Sequence, residues 1–102
     1  MTGRQIHNLR EMLKIDQFAL AGVLGVHVST VYRWESRTGK VKMDPLQAQI
    51  VDLLRERVAA KPQIAGALGQ TIVRGLVTGG PLVALAALLV KLLDGKGPGD
   101  DA

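Results

Sequence analysis

The chain has 102 residues, which is enough for one compact domain with an appendage. It contains no cysteine, which excludes disulfide scaffolds, thiolate metal sites and cysteine nucleophiles and favours a reducing compartment. Hydrophobic residues make up 47% of the chain and charged residues 22%, as in folded rather than disordered proteins. The formal net charge of +4 favours a polyanionic partner without naming one.

Charge is distributed unevenly and predicts three parts of the chain. Residues 1–61 hold ten basic and six acidic residues, whereas residues 62–93 hold only Arg74 and Lys91 and are rich in apolar residues and glycine. Residues 94–102, DGKGPGDDA, are expected to form a solvated and mobile tail. Residues 1–13 have no apolar core, so we expect no signal peptide.

Hydrophobic periodicity and helix-capping residues predict three short helices at the start of the chain and no strand. Thr2 caps a first helix that reaches about residue 14. Its predicted inner face carries Ile6, Leu9, Met12 and Leu13. Asp16 caps a second helix over residues 17–24, and Gly25 ends it. A third helix over residues 28–35 buries Val31 and Trp34.

Three longer helices are predicted after a polar, basic loop at residues 36–43. Asp44 and Pro45 start a helix that reaches about residue 60. The inner face of this helix is predicted to carry Leu46, Ile50, Leu53 and Leu54. Pro62 starts a fifth helix, and the Gly-Gly-Pro sequence at residues 79–81 separates it from a sixth that ends near residue 93.

Residues 17–35, QFALAGVLGVHVSTVYRWE, carry the most specific pattern in the chain. Gly25 lets the chain turn between two short helices, and Ala21 is small where those helices cross. The segment resembles the helix-turn-helix of the phage-repressor and Cro family, often called the xenobiotic-response-element family. The matching residues are Gln17, Leu20, Ala21, Leu24, Gly25, Val26, Ser29, Thr30, Val31, Arg33, Trp34 and Glu35. The resemblance covers about residues 6–54 and implies an all-α, lambda-repressor-like helix-turn-helix bundle that binds double-stranded DNA.

The resemblance also implies which side chains contact DNA. The base-reading positions fall on His27, Val28, Ser29, Tyr32 and Arg33. The phosphate-binding positions fall on Gln17, Thr30, Ser36, Arg37, Lys40 and Lys42. An ion pair between Arg10 on the first helix and Glu35 at the end of the third is implied as well. Phe18 and Val23 stand where the family usually has polar residues. We therefore expect residues 62–93, the rear segment, or another subunit to cover that face of the second helix.

Residues 62–93 are predicted to form an apolar helical hairpin for self-association into a dimer or larger homo-oligomer. The residues predicted to mediate it are Leu68, Ile72, Leu76, Leu82, Leu85, Leu89 and Leu92. A membrane hairpin is a weaker alternative, because residues 82–93 number 12 where a membrane span needs about 20. A docking surface for a different protein is the third alternative.

These patterns favour a sequence-specific DNA-binding transcriptional regulator, a repressor, in the bacterial or phage-infected cytoplasm and associated with the nucleoid. The alternative is a DNA-associated assembly protein for packaging, partition or filament formation. We expect no enzyme activity, metal or cofactor. His7 and His27 are the only histidines, paired carboxylates at ligand spacing are absent, and no phosphate-cradling glycine motif occurs.

Overall fold

A computed structural model describes residues 1–94 of the chain, which are all-helical as predicted. The helices are α1 (Gly3–Leu13), α2 (Gln17–Leu24), α3 (Val28–Glu35), α4 (Pro45–Ala60), α5 (Ala65–Gly79) and α6 (Pro81–Asp94). A 3-10 turn, Pro62–Ile64, joins α4 to α5. The tail predicted at residues 94–102 lies outside the described residues, except for Asp94 at the end of α6. No helix within residues 1–94 combines the length and hydropathy needed to cross a membrane.

The predicted caps account for where the first helices begin and end. The Thr2 hydroxyl accepts a hydrogen bond from the Gln5 backbone N–H, and the Gln5 side chain accepts one from the Thr2 N–H. An Asp16 carboxylate oxygen accepts from the Ala19 N–H at 2.8 Å. Lys14 and Gly25 then end α1 and α2 in the left-handed conformation, with φ of 60° and 72°. Glycine predicts the second stop, whereas lysine at the first gives no such signal.

The core of residues 1–61, the front half of the chain, follows the predicted hydrophobic periodicity, with two corrections. Ile6, Leu9 and Leu13 on α1 and Ile50 and Leu54 on α4 are buried as predicted. Met12 and Leu46 were expected on the inner faces, but they are exposed. On α4 the buried face is rotated toward Val51 and Val58, because the tertiary neighbours and not the local pattern determine which side of this weakly amphipathic helix is covered.

The hairpin of α5 and α6 packs on the front half of the same chain. A methyl group on Gly69 of α5 would collide with the carbonyl oxygen of Leu13 at the end of α1, and one on Gly22 of α2 would meet the Leu76 side chain. Val23 is consequently buried, so the rear segment covers this face of α2, as one of the two predicted alternatives requires. Phe18 was expected to be covered as well, but it is 66% exposed. One continuous hydrophobic core joins residues from both predicted parts, 1–61 and 62–93.

This packing corrects the predicted self-association surface. Leu68, Ile72 and Leu92 are buried inside the chain, so they are not available to a second copy. A fully apolar hairpin predicts an external partner, whereas α1, α2 and α4 of the same chain supply the covering surface. Leu76, Leu85 and Leu89 are partly buried, and Leu82 is fully on the surface at 79% exposure.

Candidate nucleic-acid interface

Helix α3 has a packed inner face and an accessible outer face. Val31 and Trp34 are buried against the core and fix the rotation of the helix about its axis. The predicted base-reading residues lie on the other side or at the start of the helix. Of these, His27, Ser29, Tyr32 and Arg33 are exposed and Val28 is partly buried. The fold therefore brings the five positions to one accessible end and face of α3.

The start of α3 is capped by a histidine, which the sequence did not indicate. His27 Nδ1 accepts a hydrogen bond from the Ser29 backbone N–H at 3.1 Å and lies 2.9 Å from the Ser29 hydroxyl oxygen. An accepting Nδ1 requires the neutral ring with its proton on Nε2. The Nε2–H group remains available as a donor to another molecule.

The basic loop after α3 is attached to the N-terminus of the chain. The Val41 N–H donates to the Met1 carbonyl oxygen at 2.9 Å, and Thr2 and Lys40 form an isolated antiparallel bridge. Gly3 permits this arrangement, because a methyl group there would collide with the carbonyl oxygens of Trp34 and Arg37. The loop is thereby held beside the end of α3. No local pattern predicts these contacts between distant segments.

The predicted phosphate-binding residues do not all lie in equivalent surroundings. Arg37, Lys40 and Lys42 are exposed on the loop. Ser36 is exposed too, although its hydroxyl donates to the Arg33 carbonyl oxygen at 3.0 Å. Thr30 is partly buried on α3. The cations of this predicted set are therefore all exposed on the tethered loop.

The predicted pair of Arg10 and Glu35 forms the centre of a larger cluster. Arg10 Nε donates to Glu35 Oε2 at 2.8 Å and Arg10 Nη2 donates to Glu35 Oε1 at 3.1 Å, which is a two-pronged contact. A His7 ring nitrogen lies 3.2 Å from Glu35 Oε1. The Gln17 amide donates to the same oxygen at 3.1 Å. Gln17 was predicted to contact phosphate, but this bond commits one of its two amide N–H groups to Glu35.

The cluster keeps Glu35 ionised in a mostly buried position. Burial raises the pKa of Glu35, but hydrogen bonds from Arg10, His7 and Gln17 outweigh it and hold the pKa below its ordinary value. The hydrogen bond to Glu35 in turn raises the pKa of Arg10 despite partial burial. One carboxylate thus ties α1, α2 and α3 together and fixes the orientation of α3.

An open cleft of about 540 Å³ lies where α1 meets the end of α3. Arg4 and Arg37 line it together with His7, Ser36, Thr38 and Glu35, and the Glu35 carboxylate is already paired with Arg10. These donors suit an anionic group of phosphate size. Arg4 was missed by the sequence reasoning, although it precedes His7 by three residues and shares its side of α1.

No protein-family model, curated protein or solved structure matches the chain.

Proposed function

We propose that this protein binds double-stranded DNA in a sequence-specific manner and acts as a transcriptional repressor. The observation that carries this proposal is the exposed face of α3, a short helix that is anchored by its opposite face and flanked by accessible cations. The major groove of DNA admits one α-helix, and side chains on the outer face of such a helix reach the base edges.

The residues on this face have the chemistry that base recognition needs. Arg33 can donate two hydrogen bonds to the O6 and N7 atoms of guanine. At the start of α3, the His27 Nε2–H is a further donor, and Val28 offers an apolar contact for a thymine methyl group. Because the Glu35 cluster restrains α3, these side chains would meet the groove without reorganisation of the helix.

The loop provides the complementary contacts to the phosphate backbone. Arg37, Lys40 and Lys42 are exposed, and the bridge to Thr2 keeps the middle of the loop beside α3. Because the loop is already held in place, its cations would release counterions from DNA without a large loss of loop entropy. Their contacts to phosphates would also fix the position of α3 along the groove. The cleft with Arg4 and Arg37 would receive a phosphate next to the end of α3.

Substitution of Arg33 tests base reading. Binding sites are first selected from a random duplex pool with the full chain, and affinities are then measured by fluorescence anisotropy. Arg33→Ala should weaken binding to the selected site by about 1–3 kcal/mol, because a bidentate base contact is lost. Binding to unrelated duplexes should change less.

The matched control for Arg33 is Arg55→Ala, which removes a partly exposed arginine from α4 outside the proposed interface. It should leave the preference for the selected site intact. Failure of the pool to enrich any sequence, or an equal loss of selectivity in both variants, would contradict the proposal.

Substitution of the loop lysines tests phosphate binding. Lys40→Ala with Lys42→Ala should weaken binding to all duplexes and reduce the slope of log affinity against log salt by about 1.8, at about 0.9 per phosphate contact. The control pair Lys61→Ala with Lys91→Ala removes the same charge from another surface. Equal slopes for the two pairs would mean that net charge, and not this loop, governs the affinity.

A further inference from the structure

We propose that a cavity at the C-terminal ends of α4 and α6 binds a small anionic amphiphile, specifically a free alkyl carboxylate. The cavity has a volume of about 420 Å³, within the range of small-molecule sites. None of the residues proposed to contact DNA lines it. The inference therefore goes beyond the proposed function and does not depend on it.

The interior of the cavity is aliphatic. Its accessible apolar lining comes from Ala60 of α4, Ile64 of the 3-10 turn and Ala67 of α5, while Leu68 and Leu92 contribute almost no accessible surface. Among the described lining residues there is no aromatic and no uncharged polar side chain. The described lining side chains include no hydrogen-bond acceptor for the N–H and O–H donors of a nucleobase or a sugar, whereas an alkyl chain would lose only its contact with water.

Three cations line the same cavity. Arg57 and Lys61 lie one turn apart at the end of α4, and Lys91 lies in the last turn of α6. No described carboxylate lines the cavity or forms an ion pair with these three side chains. A helix C-terminus carries a partial charge of only about −0.5, so the two helix ends offset only part of the positive charge that the described side chains place here. One carboxylate headgroup on an aliphatic body complements that combination.

The shape of the site favours a single molecule over a membrane surface. The lining residues come from α4, the 3-10 turn, α5 and α6 and surround one concavity. A flat bilayer surface would contact the cationic rim without filling this concavity. The ligand class is therefore a dissolved alkyl carboxylate.

Calorimetric titration of the full-length protein without DNA tests this assignment, with hexanoate, octanoate and decanoate as probes. Each added methylene should tighten binding by about fourfold while the cavity has room. Acetate, which has six methylenes fewer, should bind more than about a thousandfold more weakly than octanoate. Octyltrimethylammonium, which reverses the charge, should bind at least about tenfold more weakly than octanoate. Equal binding of octanoate and octyltrimethylammonium would overturn the proposal, as would binding only to phosphatidylglycerol vesicles.

Two variants separate the charge from the cavity. Lys61→Gln with Lys91→Gln should weaken octanoate binding by about tenfold, because two headgroup partners are lost. Ala67→Phe, at an exposed position on the cavity wall, should block binding while all charges remain. The control pair Lys40→Gln with Lys42→Gln removes the same charge from the loop and should leave octanoate affinity unchanged. A loss in that control as large as in the cavity pair, or full binding by Ala67→Phe, would place the ligand elsewhere.

Discussion

Glu35 shows what can and cannot be predicted at the scale of single residues. Its pairing with Arg10 followed from the resemblance of residues 6–54 to the phage-repressor family, and both side chains form the expected contact. The additional contacts to His7 and Gln17 join residues 28 and 18 positions apart, which no local spacing indicates. The His27 cap was missed for a different reason, since histidine is not among the residues that normally identify the start of a helix.

Removal of the charge on Glu35 should destabilise the fold and change its pH dependence. Glu35→Gln should lower the free energy of unfolding by about 1–3 kcal/mol at neutral pH, because Arg10 loses its charged partner in a mostly buried site. The pKa of Glu35 is lower in the folded protein than its ordinary value of 4.5. The contribution of ionised Glu35 to the free energy of unfolding is therefore fully present above pH 4.5. It is lost as the pH falls through the lower pKa that Glu35 has in the folded protein.

Chemical denaturation at a series of pH values measures both effects. The wild type should lose stability below about pH 4.5 more steeply than Glu35→Gln, since the variant no longer has this carboxylate to protonate. Glu11→Gln is the matched control, because Glu11 is exposed, contacts His7 at 3.6 Å and forms no hydrogen bond to Arg10 among the described residues. Parallel pH profiles for wild type and Glu35→Gln would show that the cluster does not contribute to acid sensitivity.

At the scale of an element, helix α5 shows that sequence spacing does not identify which residues make tertiary contacts. The sequence presents Gly66, Gly69 and Gly75 as equivalent interruptions of an apolar helix, and it predicts close approach of another backbone. The structure distinguishes them: Gly69 meets the end of α1 and Gly75 meets the backbone of Ala84 on α6, whereas Gly66 has open space around it. Spacing indicates that a helix tolerates glycine for packing, but only the tertiary arrangement determines which glycine is in contact.

Alanine substitutions at Gly69 and Gly66 should have opposite effects on stability. Gly69→Ala should lower the free energy of unfolding by about 1–3 kcal/mol, because its methyl group overlaps the Leu13 carbonyl and must push α5 away from α1. Gly66→Ala should raise it by up to about 1 kcal/mol through higher helix propensity alone. Urea unfolding followed by circular dichroism gives both values. Stabilisation by Gly69→Ala would contradict the close packing of the hairpin on the front half.

At the scale of the whole molecule, composition suggested a boundary that the packing does not show. The change from a charged front to an apolar rear predicted a DNA-binding part and a separate self-association hairpin. The apolar periodicity of α5 was informative, since Leu68 and Ile72 are buried. Periodicity identifies a face that must be covered without identifying the element that covers it, which here is the front half of the same chain.

Helix α6 carries four of the ten large hydrophobic side chains that are exposed in the described part of the chain. Leu82, Ala86, Val90 and Leu93 recur at helical spacing and are exposed, which gives one apolar stripe along this helix. Exposure of Leu82, Val90 and Leu93 ranges from 57% to 79%. We therefore propose that the chain self-associates through this α6 stripe and not through the buried residues Leu68, Ile72 and Leu92.

A charge placed on the α6 stripe should separate the copies. We expect light scattering to give a dimer for the wild type and a monomer for Val90→Glu, because a carboxylate would lose its hydration in an apolar contact. Leu46→Glu is the control: it places the same charge on a similarly exposed leucine in the first turn of α4, and it should remain dimeric.

A two-fold dimer would bind half-sites about 34–36 Å apart, so Val90→Glu should lose affinity for a duplex with two half-sites and keep it for one half-site. A wild-type monomer would contradict self-association through α6, whereas a ring or filament would favour the DNA-assembly alternative over the repressor.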